Sequence, residues 1–178
     1  MNWYVLFVRT ASEDKVVEQL RQCLDSSMHT PFVPKKAWAH VGGKGKSVKT
    51  ETKICFPGYV FIASKADIYD FLRDVQPLIN AIKEAYCFLH YGDDKWDIEM
   101  RDYEKSQIEP LLNDEFYMES SLGFMEGDRV NIVSGSLMGM ESQIIKINKR
   151  KRTAVISVYM LGNARQITLM LEVLKKDG

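Results

Sequence analysis

Three cysteines, three histidines and five prolines in 178 residues already exclude several kinds of protein. Cys23, Cys55 and Cys87 are odd in number and scattered, so they give neither a disulfide framework nor a close ligand pair, and they fit a reducing cytosol. His29, His40 and His90 are isolated, none with a second ligand at metal spacing. There is no Gly-x-Ser-x-Gly and no phosphate loop; the lysine-rich turn Gly42–Lys46 does not match one. No window approaches the roughly 20 apolar residues of a membrane span. Met1 leads straight into a strand-like segment, without the basic and apolar regions of a signal peptide. The expectation is a cytoplasmic protein that is not an enzyme, with no metal, no cofactor and no membrane contact.

What is present is ordinary in bulk and uneven in distribution. Hydrophobic residues make up 46% and charged residues 27%, as in a globular chain holding one domain or two small ones. The net charge of zero hides an asymmetry: from Phe124 to Gly178 nine Lys/Arg stand against five Asp/Glu, and the rest of the chain carries the compensating acid excess. A basic small unit beside an acidic larger one points to a polyanionic partner for the first.

Trp3–Val8 is aromatic and β-branched and predicts a buried strand. Glu13 and Asp14 fall in the first turn of an amphipathic helix over 12–26, where the macrodipole favours acids. A strand from His29 to Val33 follows. Lys35–Lys53 carries six lysines and one acid around a Gly-rich turn, and predicts a basic hairpin with arms at 37–41 and 47–54. Pro57–Ile62 is a second aromatic strand. Asp67–Val75 reads as a short helix ended by Pro77, then a strand around 86–89, a helix near 101–113 and a linker over 115–123.

From Phe124 onward short β-rich runs alternate with turns: Arg129–Val133, Gln143–Ile147, Thr153–Tyr159, Arg165–Thr168 and Glu172–Leu174. Such spacing predicts a small curled barrel. Lys149, Arg150, Lys151 and Arg152, with Lys146 close by, crowd one hairpin turn. Four consecutive cations repel one another unless a polyanion neutralises them, so the turn is a candidate nucleic-acid contact, with Arg129 and Arg165 in support. A structured hairpin is the favoured ligand, because only Phe124 and Tyr159 offer stacking platforms here.

Trp3-Tyr4, then Phe56-Pro57-Gly58-Tyr59-Val60-Phe61, then Gly127-Asp128-Arg129-Val130 with Gly135 and Gly139, resemble the NusG family of transcription elongation factors over essentially the whole chain. The resemblance implies an α+β protein: an N-terminal NGN domain (antiparallel sheet with flanking helices) at 1–112, a linker at 113–122 and a small C-terminal KOW β-barrel at 123–178. It implies a monomer that docks on the clamp helices of RNA polymerase through an aromatic pocket, here Trp3, Phe56, Pro57 and Tyr59. The basic hairpin, with Lys44, Lys46 and Lys49, would touch upstream or non-template DNA or the polymerase itself.

Two loops depart from the family. Gly135-Ser136-Leu137 stands where Gly-Pro-Phe is usual, and Leu161-Gly162-Asn163 where Phe-Gly-Arg is usual. Those loops generally meet Rho or a ribosomal protein. With its enriched basic turn, the chain resembles specialised antiterminators of the LoaP type, which engage leader RNA through the KOW domain. The alternatives are a general factor whose KOW domain binds Rho or the ribosome, and a ribosome-associated KOW protein. The strong β preference of Thr153–Tyr159 argues against a helical alternative fold of this segment.

Overall fold

In the computed structural model of the chain the described residues are 1–40 and 49–174. The elements run β1 (Asn2–Val8), α1 (Glu13–Cys23), β2 (His29–Phe32), β3 (Lys35–His40), β4 (Lys49–Ile54), β5 (Tyr59–Ser64), α2 (Ile68–Ala81), β6 (Ala85–Phe88) and α3 (Asp102–Ile108). They continue with β7 (Tyr117–Met118), β8 (Ser121–Glu126), β9 (Arg129–Ser134), β10 (Ile144–Asn148), β11 (Thr153–Met160) and β12 (Asn163–Leu174). The fold is mixed α/β: an antiparallel sheet with helices, then a β-rich C-terminal part. None of the described helices is long and apolar enough to cross a membrane. The chain forms two compact units.

The first unit comprises Met1–Pro34, Phe56–Lys105 and Met160–Asn163. Its sheet has the order β2-β5-β1-β6, antiparallel throughout. The two aromatic strands pair centrally, with Trp3 opposite Ala63, Val5 opposite Phe61 and Phe7 opposite Tyr59. Side chains alternate across a strand, so these odd positions of β1 share a face with their β5 partners. On the other face Tyr4 stacks on Phe71 of α2, ring centroids 3.6 Å apart. Burial pushes the Tyr4 phenol well above its ordinary range, and Glu99 adds to the shift.

Helix α2 is capped by Asp67, whose carboxylate accepts from the amides of Tyr69 and Asp70, both at 2.9 Å. It does not stop before Pro77 but continues to Ala81. Phe71, Val75 and Ile79 form one buried stripe, and that burial outweighs the hydrogen bond the proline cannot make.

Polar groups in this core are tied together. His29 is not isolated: its Nδ1 lies 3.0 Å from Ser64 Oγ and its Nε2 3.3 Å from Asp74. The fully buried Glu104 accepts from the hydroxyls of Tyr91 and Tyr103 and from the amides of Leu161 and Gly162. Burying a carboxylate is costly without such donors.

The second unit comprises Lys35–Cys55, Ser106–Tyr159 and the chain from Ala164 onward. The arms of the hairpin are 35–40 and 49–54 where 37–41 and 47–54 were expected, positions 41, 47 and 48 lying outside the described residues; they pair antiparallel from Lys35–Ile54 outward, and β7 joins β3 in parallel. A five-stranded sheet has the order β10-β11-β12-β8-β9. The runs 165–168 and 172–174 belong to one strand, β12, because the intervening Leu169, Met170 and Leu171 are themselves buried and extended. Strands β7 and β8 occupy much of the stretch read as a linker, with Met118 and Ser121 buried. The two ends of the five-stranded order, β9 and β10, line one groove of about 670 Å³ without pairing among the described strands.

Gly135 makes the closest approach of the described glycines of this unit. Its φ is +87°, and an added Cβ would sit 2.2 Å from the Ser120 carbonyl oxygen. Only glycine fits that close approach.

Candidate functional site

On the odd face of β1 exposure changes along the strand. Trp3 is 3% exposed, edge-on to Phe32 and Phe61 at 5.3 and 6.0 Å, with Lys105 Nζ 5.8 Å from its ring. Phe56 is also buried, against Phe61 at 5.5 Å. Phe7, by contrast, is 39% exposed and lies between Tyr59 at 5.8 Å and Tyr86 at 5.2 Å; Tyr86 is 53% exposed. Pro57 is exposed and Tyr59 half-buried.

Of the four residues named from the sequence, Pro57 and Tyr59 therefore reach the surface, while Trp3 and Phe56 support it from the core. Phe7 and Tyr86 join the surface without having been read as site residues. Phe7 was hidden by a strand that reads as buried along its whole length. Tyr86 reaches it through a register shift between Phe7 and Val8 in the β1–β6 ladder, which no spacing in the sequence signals. Three aromatic rings at the end of an otherwise buried sheet face form an apolar surface with polar handles, suited to receiving a partner's apolar side chains.

The loop that presents Tyr59 is held from two sides. Gly58 has φ +86°, its carbonyl accepts from the Val8 amide at 2.8 Å, and its own amide donates to Glu13 Oε1 at 2.6 Å.

The basic turn joins β10 to β11. Lys149, Arg150, Lys151 and Arg152 are all exposed. Asn148 Oδ1 accepts from the Lys151 amide at 2.9 Å, and Arg152 closes the turn at φ +53°. Arg152 pairs with Glu172 at 3.4 Å; among the described residues none of the other three is in an ion pair. Lys146, Lys149 and Arg129 line the β9–β10 groove together with Val130, Ile145 and Ile147. Arg165 is half-buried on β12, apart from this group in its side-chain setting.

Lys44 and Lys46 of the hairpin lie outside the described residues, and of Lys49 the backbone alone belongs to the description. On β3, Trp38 carries Lys53 Nζ at 4.6 Å and Lys36 Nζ at 5.4 Å from its ring. Lys36 donates to the Thr168 carbonyl at 2.8 Å, and burial holds its ammonium below the usual lysine range. Burial likewise pushes the nearby Cys55 thiol up to about 12. The Ser64, His29 and Asp74 sequence of contacts has the residue types of a hydrolytic triad. Ser64 is fully buried, however, and accepts from the Ala66 amide at 3.0 Å, so no substrate reaches it.

The family model described as "Transcription termination factor nusG" matches residues 1–109. The chain belongs to the NusG family. NusG proteins are non-enzymatic transcription factors that interact with RNA polymerase. A solved Thermotoga maritima NusG, reported for its domain interaction, is similar over 95% of this chain and 93% of its own, at 18% identity and a TM-score of 0.48. A chain of the MjSpt4:Spt5 complex is similar over 94% of this chain and 91% of its own, at 16% identity and a TM-score of 0.35. No curated protein matches the sequence.

Proposed function

We propose that this NusG-family chain is a specialised elongation and antitermination factor of the LoaP type. It works as a cytoplasmic monomer with an NGN domain at 1–112 and a KOW domain at 123–178, joined by the segment 113–122, which carries β7 and the start of β8. The NGN domain docks on the clamp helices of RNA polymerase and favours the closed, elongating state by binding it more tightly than the open one. The basic hairpin adds contacts to upstream or non-template DNA or to the polymerase. The KOW domain holds a structured leader RNA, and tethering turns two modest affinities into one avid attachment.

The observation that carries the docking step is the cluster of exposed Phe7 and Tyr86 with half-buried Tyr59 at the end of the sheet face. The RNA step is supported by the four exposed cations at one turn. It is supported too by the two loops that depart from the family: their Leu137 and Leu161 are both buried, which leaves Met138, beside the first, as the exposed apolar side chain there. A transcription termination assay with purified polymerase tests the proposal: read-through should rise when the template encodes the cognate leader RNA and stay at baseline without it. Equal read-through on both templates, with capture of Rho or ribosomes, would favour a general factor.

A further inference from the structure

We propose that Glu13 is a positioning residue for the docking surface: its buried carboxylate selects the conformation of the Phe56–Tyr59 turn and so sets where Pro57 and Tyr59 stand. This rests on the docking reading given above.

Glu13 opens α1 in the position where an acid is usually explained by the helix macrodipole, on the solvent side. Here it is 1% exposed. A carboxylate in that setting needs a donor, and the Gly58 amide at 2.6 Å supplies one in a buried bond. Capping does not account for the arrangement. The N-cap residue Ser12 makes no side-chain cap, and its Oγ instead accepts from Arg9 Nε at 3.1 Å. The start of α1 is thus directed at the turn rather than at its own amides.

The turn is one that has two forms. Phe56 to Tyr59 closes with the Tyr59 amide on the Phe56 carbonyl at 3.2 Å, with proline second and glycine third at φ +86°. That is a type II turn. Type I differs from it mainly by a flip of the central peptide plane, here the Pro57–Gly58 peptide, and proline suits the second position of either. The N–H of that peptide is the one Glu13 accepts. Flipping it would turn the donor away and leave the buried carboxylate without it, so the carboxylate biases the turn to type II. The next residue is Tyr59, opposite Phe7 in the ladder. Its neighbour Gly58 is so close to β1 that an added Cβ would lie 3.6 Å from the Phe7 ring. The turn's form is therefore passed directly to the aromatic surface.

The test uses the full chain with purified RNA polymerase and three variants. Glu13→Gln keeps an acceptor of the same reach; Glu13→Met keeps the volume and removes it; Tyr59→Asp controls for the docking surface itself. Affinity for polymerase should fall at least tenfold in Glu13→Met and stay within about threefold of the parent in Glu13→Gln, a tenfold change being 1.4 kcal/mol. In amide NMR the Gly58 proton should lie downfield and exchange slowly in the parent and in Glu13→Gln, and lose both properties in Glu13→Met. A stability role alone would move the melting temperature without separating folded Gln from folded Met in affinity. Should Glu13→Met fail to fold, Glu13→Asp decides instead: it keeps the charge at the helix start, shortens the reach by one methylene, and should bind as weakly as expected of Met. Parent-like binding by folded Glu13→Met or Glu13→Asp, while Tyr59→Asp binds poorly, would overturn the inference alone. Parent-like binding by Tyr59→Asp would overturn the docking reading and this inference with it.

Discussion

Phe7 and Tyr59 face each other across the β1–β5 ladder with ring centroids 5.8 Å apart, one exposed and the other half-buried. Four register pairs further along, Trp3 stands opposite Ala63 in the closed core. The same strand pair thus serves as core at one end and as surface at the other.

Phe7→Asp and Tyr59→Asp should each weaken polymerase binding by tenfold or more, about 1.4 kcal/mol or above, with the fold retained. Phe56→Asp should instead unfold the first unit, because it places a charge at a buried position against Phe61. Binding measured on variants first checked by circular dichroism separates the two outcomes. Folded Phe7→Asp or Tyr59→Asp protein with parent-like affinity would show that polymerase docks elsewhere.

Replacing Lys149, Arg150 and Lys151 by serine should weaken RNA binding and flatten its dependence on salt. Arg152 is best left in place, since it closes the turn at positive φ and pairs with Glu172. Each phosphate contact removed should lower the slope of log affinity against log salt by about 0.7–0.9. Mobility shifts over a salt series read this directly, and polymerase binding should not change. An unaltered slope would move the RNA site off this turn.

Gly135→Ala should destabilise the second unit by on the order of 2–4 kcal/mol, through a clash with the Ser120 carbonyl in addition to its positive φ. Gly139→Ala is the matched control. Its φ is +80° and nothing lies within 4 Å of an added Cβ. It should lose only about 1 kcal/mol, the conformational cost alone. Denaturant melts of the two variants compare crowding with dihedral strain, and equal losses would show that crowding contributes nothing.

Cys55 should stay unreactive at pH 8 while the exposed Cys23 and Cys87 are modified, because burial raises its thiol from an ordinary 9.0 to about 12. The folded state therefore holds this proton more tightly than the unfolded one. Its contribution to stability is complete below about pH 9 and is lost between there and about pH 12. Thiol counting with a coloured disulfide reagent should give two fast equivalents and a third on unfolding. Three fast equivalents in the native protein would contradict the buried placement.

Strands β1 and β5 and the helix face of α1 were legible because aromatic runs and helical spacing act over a few residues. What the sequence hid depended on long-range fit. Pro77 reads as a stop, yet Ile79 beyond it has a place in the core and the helix follows. The split between 165–168 and 172–174 vanishes because Leu169 and Leu171 are buried within one strand. Glu13 illustrates the same limit in the site. Its position suggested a macrodipole role, and only its distance from Gly58, 45 positions away, gives it a second one. Phe7 looked like core for the same reason: local pattern marks a strand as apolar but does not say where the cover ends.

His29 sits opposite Ser64 in the β2–β5 ladder, and its two ring nitrogens reach partners on either side. Ser64 Oγ accepts the Ala66 amide at 3.0 Å and lies 3.0 Å from His29 Nδ1, while His29 Nε2 lies 3.3 Å from Asp74 on α2, so one chain of contacts links the two strands and the helix. A slip of β5 by one residue would turn Ser64 to the opposite face and break these contacts. The pairing of β2 with β5 is thus keyed by these two residues, whatever the chain does between them. The stretch Lys35–Cys55, which belongs to the second unit, is a detour between two strands whose alignment it does not determine. Such a detour behaves as a cassette: it can be lengthened, shortened or recoded for another contact while the sheet of the first unit stays in register.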